Sequence, residues 1–350
     1  MTPTAHTVVI GAGVSGLATA RTLQAAGVDV VVLEARDRVG GRLRSVPLGD
    51  AGVDLGATWF WANEPRVVAL VEEFGLATHA QHLAGDALYQ IPGVVQRIAG
   101  NPIDGPAWRL SAGTQRLAEA LAECLDEGTV RLEHVVSAIR AVDGLLSVEG
   151  SFGSIEGRHV VVALPPVLAV HALDFDPPLP ESTRAIAGQV PVWMGSMTKV
   201  VIRYATPFWR ERGLAGAVMS HAGPMREMHD MSGPAGDPAA LFGFAPPLHP
   251  QAPTVSEDAV RRQLTELFGA DAPEPVDVAI TDWRMERFTT PPGAVSLQSY
   301  ETYGHPVFQT PTWEGRLHWS STETSRDFPG HIEGALSAAA RTAEAILSGA

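Results

Sequence analysis

The run from Val8 to Arg44, VVIGAGVSGLATARTLQAAGVDVVVLEARDRVGGRLR, constrains the fold more than any other part of the chain. Val8-Val9-Ile10 reads as a buried parallel strand, and Gly11, Gly13 and Gly16 form the G-x-G-x-x-G turn that opens a helix. The first glycine permits the tight turn, the second lets backbone amides approach a pyrophosphate, and the third lets the helix pack closely on the strand. Gly27 ends the helix. Asp29 to Leu33 is a second buried strand, and its end puts Glu34 where a carboxylate accepts a ribose diol, which argues against a 2′-phosphorylated ligand. Strand, glycine turn, helix, strand and acid in this order predict a dinucleotide-binding α/β domain.

With 350 residues, 45% of them hydrophobic, the chain can bury a large core and has room for about two domains. Its 25 basic and 39 acidic side chains give a net charge of −14, which speaks against nucleic acid as a partner. The single cysteine, Cys124, excludes an internal disulfide; its helical spacing from Leu117, Leu121 and Leu125 predicts a buried thiol. Few residues precede the first strand and no run of 18 apolar residues occurs, so a cytoplasmic protein with no membrane partner is expected. Leu336, Ala339, Ala340, Ala343, Ile346 and Leu347 make the C-terminal segment an amphipathic helix docked on a core. Met197 to Tyr204 alternates as a strand on which Lys199, taken alone, reads as a solvated edge residue. Thr254 and Glu257 read as the capping box of a helix carrying Val260, Leu264, Leu267 and Phe268. No metal site is expected.

The continuation Arg36-Asp37-Arg38-Val39-Gly40-Gly41-Arg42 resembles the flavin-containing amine oxidase family, in which a diglycine followed by arginine meets the FAD pyrophosphate. Further matches follow in family order: Asp54 to Trp59, Leu110 to Thr114, Gly195 to Lys199, Pro207 to Arg210, Ser321 to Thr324 and His331 to Ala335. The resemblance implies an α/β fold: a GR2-type, Rossmann-like FAD domain with a second, reduced substrate domain on a mixed β-sheet with helices. The FAD domain would be assembled from residues 1–80, 110–178 and 290–350, and the substrate domain from 81–109 and 179–289. Besides Gly11, Gly13, Gly16 and Glu34, the implied cofactor contacts are Ala35, Arg36, Gly41, Arg42, Gly56, Ala57, Thr58, Trp59, Val136, Trp283, Thr322, Glu323, His331 and Ile332. Val136 would lie on a strand running from Val130 whose backbone meets the adenine, and Glu323 would reach the ribityl and pyrophosphate region. Ile332 would donate its amide at the N-terminus of the last helix, where partial positive charge suits the N1/C2=O edge of the isoalloxazine. Lys199 would hold a water against flavin N5 and assist reoxidation by oxygen.

The sequence departs from the family at the substrate. The paired aromatic rings that flank the amine align with Val295 and His331, so a cage would have to be rebuilt from Trp59, Trp61, Tyr300 or Tyr303. His331 becomes either a proton acceptor or a helix cap. The position that attaches FAD through cysteine in some relatives is Ala294, so FAD should be noncovalent. Between Tyr89 and Leu110 only about twenty residues stand where full-size relatives carry roughly a hundred, mostly helical, which predicts a more open site or one closed by a partner subunit in a homodimer. The expected chemistry is hydride transfer from the C–N carbon of an amine or amino-acid-like substrate to FAD, with O2 as acceptor and imine and H2O2 as products. A renalase-like dihydronicotinamide oxidase, a desaturase and a noncatalytic FAD-binding assembly component remain open as alternatives.

Overall fold

The structure is a computed structural model and describes residues 4–48, 51–249, 252–293 and 300–349. The apolar, β-branched run at the N-terminus forms the strand Thr4–Ile10, which pairs in parallel with Val30–Leu33 on one side and Gly153–Val162 on the other. Where the three strands run side by side both faces are covered, so Val8 to Ile10, Val30 to Leu33 and Val160 to Val162 are apolar without alternation. They sit at the centre of an eight-stranded mixed sheet that also takes in Val130–Arg131, Val136–Val142, Leu145–Gly150, Asp174–Asp176 and Leu317–Trp319. The helices Val14–Ala25, Gln115–Glu123 and Ile332–Leu347 pack on one face through Leu17, Leu117, Leu121, Leu336 and Ile346.

A second sheet of seven strands runs in the order Asp277–Asp282, Thr198–Tyr204, Ala239–Ala245, Glu227–Asp230, Leu214–Ser220, Asp86–Ile91, Val94–Ile98. One face is covered by the helix Glu257–Phe268 through Val260, Leu264 and Leu267. The other carries Val201 and Phe242 and packs on Val53 and Leu55 beside the first sheet. Lys199 lies opposite Phe244 on one neighbour and Thr281 on the other, so its strand is internal and buried almost throughout, not an exposed edge.

Several expectations are corrected. Val130 to Val136 is not one strand: Glu133 adopts φ 58° in a turn, and Val136 begins a separate strand. The helix from Glu257 is capped by Ser256, whose side chain accepts from Ala259 N, while Thr254 donates to Asp282 Oδ2 at 2.6 Å. A hydroxyl one residue before the helix can reach its free amides, and Thr254 stands too far upstream. Cys124 is exposed, because the helix ends at Glu123 and the periodicity that would bury the thiol stops with it. Ala340 and Leu347 face solvent on the last helix. Leu179, Ala187 and Val190 pack in the core of the first sheet, so the chain crosses to the second sheet well after residue 178.

Candidate active site

An elongated cavity of about 570 Å³ runs between the two sheets. At one end Glu34 closes the strand Val30–Leu33, with Ala35, Arg36, Val135 and Val136 beside it. Glu34 is buried and its oxygens accept from Ala12 N at 2.8 Å and Arg36 N at 3.0 Å, which fixes the carboxylate at the cavity wall. In the middle, Gly11 turns at φ 105° and the helix Val14–Ala25 points its N-terminal amides at the cavity. A Cβ on Gly16 would stand 2.0 Å from Gly11 O, so Gly16 serves close packing beneath the wall and does not line it. A Cβ on Gly13 would meet nothing within 4 Å, because the space beside it is the cavity itself. Gly40 and Gly41 pack directly against this turn, with Gly40 N donating to Ala12 O at 2.8 Å, and Arg42 follows them at the cavity wall.

Arg42 is held by Glu323, with Nη1–Oε1 at 2.6 Å and Nη2–Oε2 at 3.0 Å. Glu323 is fully buried and also accepts from Trp193 N at 3.3 Å. It therefore stands behind Arg42 rather than on the cavity wall, and its carboxylate orients the guanidinium. Thr322 does line the cavity; its Oγ1 donates to His331 O and accepts from Gly330 N, both at 2.8 Å, which pins the turn into the last helix. Ile332 begins that helix at the wall.

The far end is aromatic. Trp59, Trp61, Trp193, Phe244, Trp283 and His331 line it together with Gly56, Ala57, Thr58 and Lys199. Trp283 Nε1 donates to Leu55 O at 3.1 Å, and Trp59 Nε1 to Gln81 Oε1 at 2.8 Å, so both indoles are fixed by hydrogen bonds as well as packing. Lys199 is 2% exposed. Its Nζ donates to Gly56 O at 2.7 Å and to Thr58 Oγ1, and lies 4.4 Å from the centroid of Phe242. Burial pushes its pKa down to about 7; the nearby Asp54 opposes this and Arg109 adds to it. Asp54 is itself raised by burial against the pull of Lys199 and Arg109. An ammonium has three N–H donors, and two are spent on the protein.

The structure does not use the two tyrosines as cage rings. Tyr303 is buried with its hydroxyl donating to Pro191 O at 3.0 Å, and Tyr300 is 58% exposed; neither lines the cavity. Trp193 lines the cavity, 6.3 Å from the His331 ring, and Trp61 lies 5.1 Å from that ring. Trp193 sits in an irregular segment after a short helix, with no periodicity to mark it. Val295, and Ala294 before it, lie outside the described residues. His331 is the N-cap of the last helix by position, but its side chain makes no cap hydrogen bond; its Nδ1 lies 2.6 Å from Glu64 Oε1. Among the described residues no cluster of His, Cys, Asp and Glu could hold a metal ion.

The cavity tests well for a flavin dinucleotide. It passes from a fixed carboxylate, across a glycine turn that a Cβ would fill and an arginine held in place, to a helix N-terminus and an aromatic box. These features define an α/β oxidoreductase that lays a dinucleotide between a Rossmann-like sheet and a second, mixed sheet. The family described as flavin containing amine oxidoreductase matches residues 14–104 and 92–347, and the chain belongs to it. It is a flavin-dependent enzyme of that family, and the noncatalytic reading falls.

Among its relatives are a putative flavin-containing monoamine oxidase of Mycobacterium tuberculosis, 28% identical over 99% of this chain and 97% of the relative, and the putrescine oxidase of Kocuria rosea, 26% identical over 94% and 92%. A solved putrescine oxidase shares the fold with a TM-score of 0.85, 23% identity and coverage of 99% of this chain and 100% of the other. The alignment to the mycobacterial protein runs 448 positions, about a hundred more than this chain has residues. The two family matches meet at residues 92–104, where the second strand of the Asp86–Ile98 hairpin runs into a short loop.

Proposed function

We propose that this enzyme oxidises the C–N bond of an amine or amino-acid-like substrate, with FAD held noncovalently and O2 accepting the electrons to give imine and H2O2. The observation that carries the reading is Lys199: a buried ammonium on an internal strand, tied down by Gly56 O and Thr58 Oγ1, at the aromatic end of the cavity and close to the N-terminus of the last helix. Flavin bound in the cavity supplies a two-electron acceptor for hydride from the substrate α-carbon. The protein's part is to bind and orient. Glu34 and the Gly11 to Val14 turn hold the nucleotide side, and Arg42, backed by Glu323, neutralises pyrophosphate charge. Trp59, Trp61 and Trp193 form an apolar box that excludes water and attracts the cationic form of an amine through their ring faces. Lys199 keeps a donor for a water molecule or for oxygen. The one cysteine lies away from the cavity, so no cysteinyl link to flavin is available.

An oxygen electrode and a peroxide assay test the reading together. Amine turnover should consume O2 and yield H2O2 one for one. Amine-dependent flavin reduction with no uptake of O2 would remove oxygen as the acceptor, and a product with a new C=C bond would favour a desaturase.

A further inference from the structure

Where the family's cage ring would stand, this chain builds a carboxylate and imidazole pair. Glu64 is 1% exposed, and each of its oxygens has one partner: Oε2 accepts from Trp61 N at 3.1 Å, and Oε1 lies 2.6 Å from His331 Nδ1. A carboxylate only accepts, so Nδ1 carries a proton, and in the neutral ring the lone pair falls on Nε2. The ring is at the cavity wall, a third exposed, between Trp61 and Trp193. The backbone at His331 is extended, φ −92° and ψ 166°, as an N-cap usually is, yet the side chain makes no cap hydrogen bond and goes to Glu64 instead.

Resting on the amine-oxidising reading, we propose that Glu64 is a positioning residue: by holding the Nδ1–H form of His331 it aims the Nε2 lone pair into the aromatic box, where it takes a proton from the arriving substrate ammonium. In that step an N–H bond of the ammonium breaks, its electron pair stays on the amine nitrogen, and an Nε2–H bond forms. The freed lone pair is what becomes the second bond of C=N when hydride leaves the α-carbon for the flavin. The imidazolium that results is stabilised by the Glu64 carboxylate, whose position is already fixed by the Trp61 amide.

Glu64→Gln separates this role from simple packing. Glutamine has one acceptor oxygen; with that oxygen on Trp61 N, its NH2 faces Nδ1 and forces the proton to Nε2. Nitrogen-15 shifts of labelled histidine in the holoenzyme, assigned with His331→Ala, should show Nδ1–H in the wild type and Nε2–H in Glu64→Gln. Anaerobic flavin reduction by benzylamine or 1,4-diaminobutane, whichever reduces the wild type, should slow by about tenfold or more with a much smaller change in apparent Kd. Glu64→Asp should recover part of the rate. Wild-type reduction in Glu64→Gln, or an Nε2–H wild type, overturns the proposal. Failure of every amine to reduce wild-type flavin overturns the amine reading instead, and the tautomer still decides whether the pair is built as described.

Discussion

Burial costs Lys199 its hydration, and the protein returns two hydrogen bonds and a ring face in its place. With its pKa lowered to about 7, the side chain is cationic below that value and loses its charge as pH rises through it. If the cation assists oxygen, flavin reoxidation is fastest on the acid side and falls between roughly pH 6 and pH 9. Lys199→Met should slow reoxidation by about tenfold or more at pH 6 and flatten the profile, while flavin stays bound. Stopped-flow mixing of reduced enzyme with oxygenated buffer measures both effects; an unchanged rate and profile reduce Lys199 to scaffold. The residue's place at the cavity was legible from its Gly-Ser-Met-Thr-Lys context, but its burial was not. Alternation in a single strand cannot say whether one neighbour or two will pair with it, and here two do. Trp193 and Glu64 escaped for a related reason: each matters through a partner far along the chain, Glu323 and His331 respectively.

At the scale of elements, the glycine helix was fully legible because each glycine answers a separate local demand, and the demands differ in what a methyl would do. Gly16→Ala drives a Cβ to 2.0 Å from Gly11 O, so the helix must move off the strand. This variant should lose about 2 kcal/mol or more of stability, seen as a lower thermal midpoint of the apoprotein. Gly13→Ala meets no protein atom and keeps an ordinary φ of −74°, so apoprotein stability should hold while FAD affinity falls by about tenfold or more. Calorimetry of apoprotein with and without FAD distinguishes them; equal loss of stability in both would contradict the assignment of Gly13 to the ligand. The last helix is the complementary case. Its docked face was readable from spacing, but the use of its N-cap was not: His331 spends its side chain on Glu64 and leaves the amides free for the cavity. The helix from Glu257 shows the limit of motif reading, since Ser256 offered a cap two residues nearer the helix than the motif's Thr254.

The molecule is built on two large sheets with a cofactor-sized cavity between them, and its order was written in the sequence because the family's motifs stand at strand ends and helix starts throughout. What composition could not show is where the chain crosses from one sheet to the other, since both cores use the same aliphatic residues. Among the described residues no helix is long and apolar enough to cross a membrane. With the lone cysteine remote from the cavity, acid denaturation should release intact FAD to the supernatant and leave a colourless pellet. Flavin retained on the chain would require another attachment and contradict the noncovalent assignment.

On the proposed reading, this cavity sets a flavin against the C–N carbon of an amine. Anaerobic titration of the holoenzyme with amines, amino acids and dihydronicotinamides in parallel tests it most directly. At least one amine or amino acid should bleach the oxidised flavin with one equivalent of substrate per flavin, faster than any dihydronicotinamide. Bleaching by dihydronicotinamide alone, or by dithionite and by none of the nitrogen substrates, would contradict it.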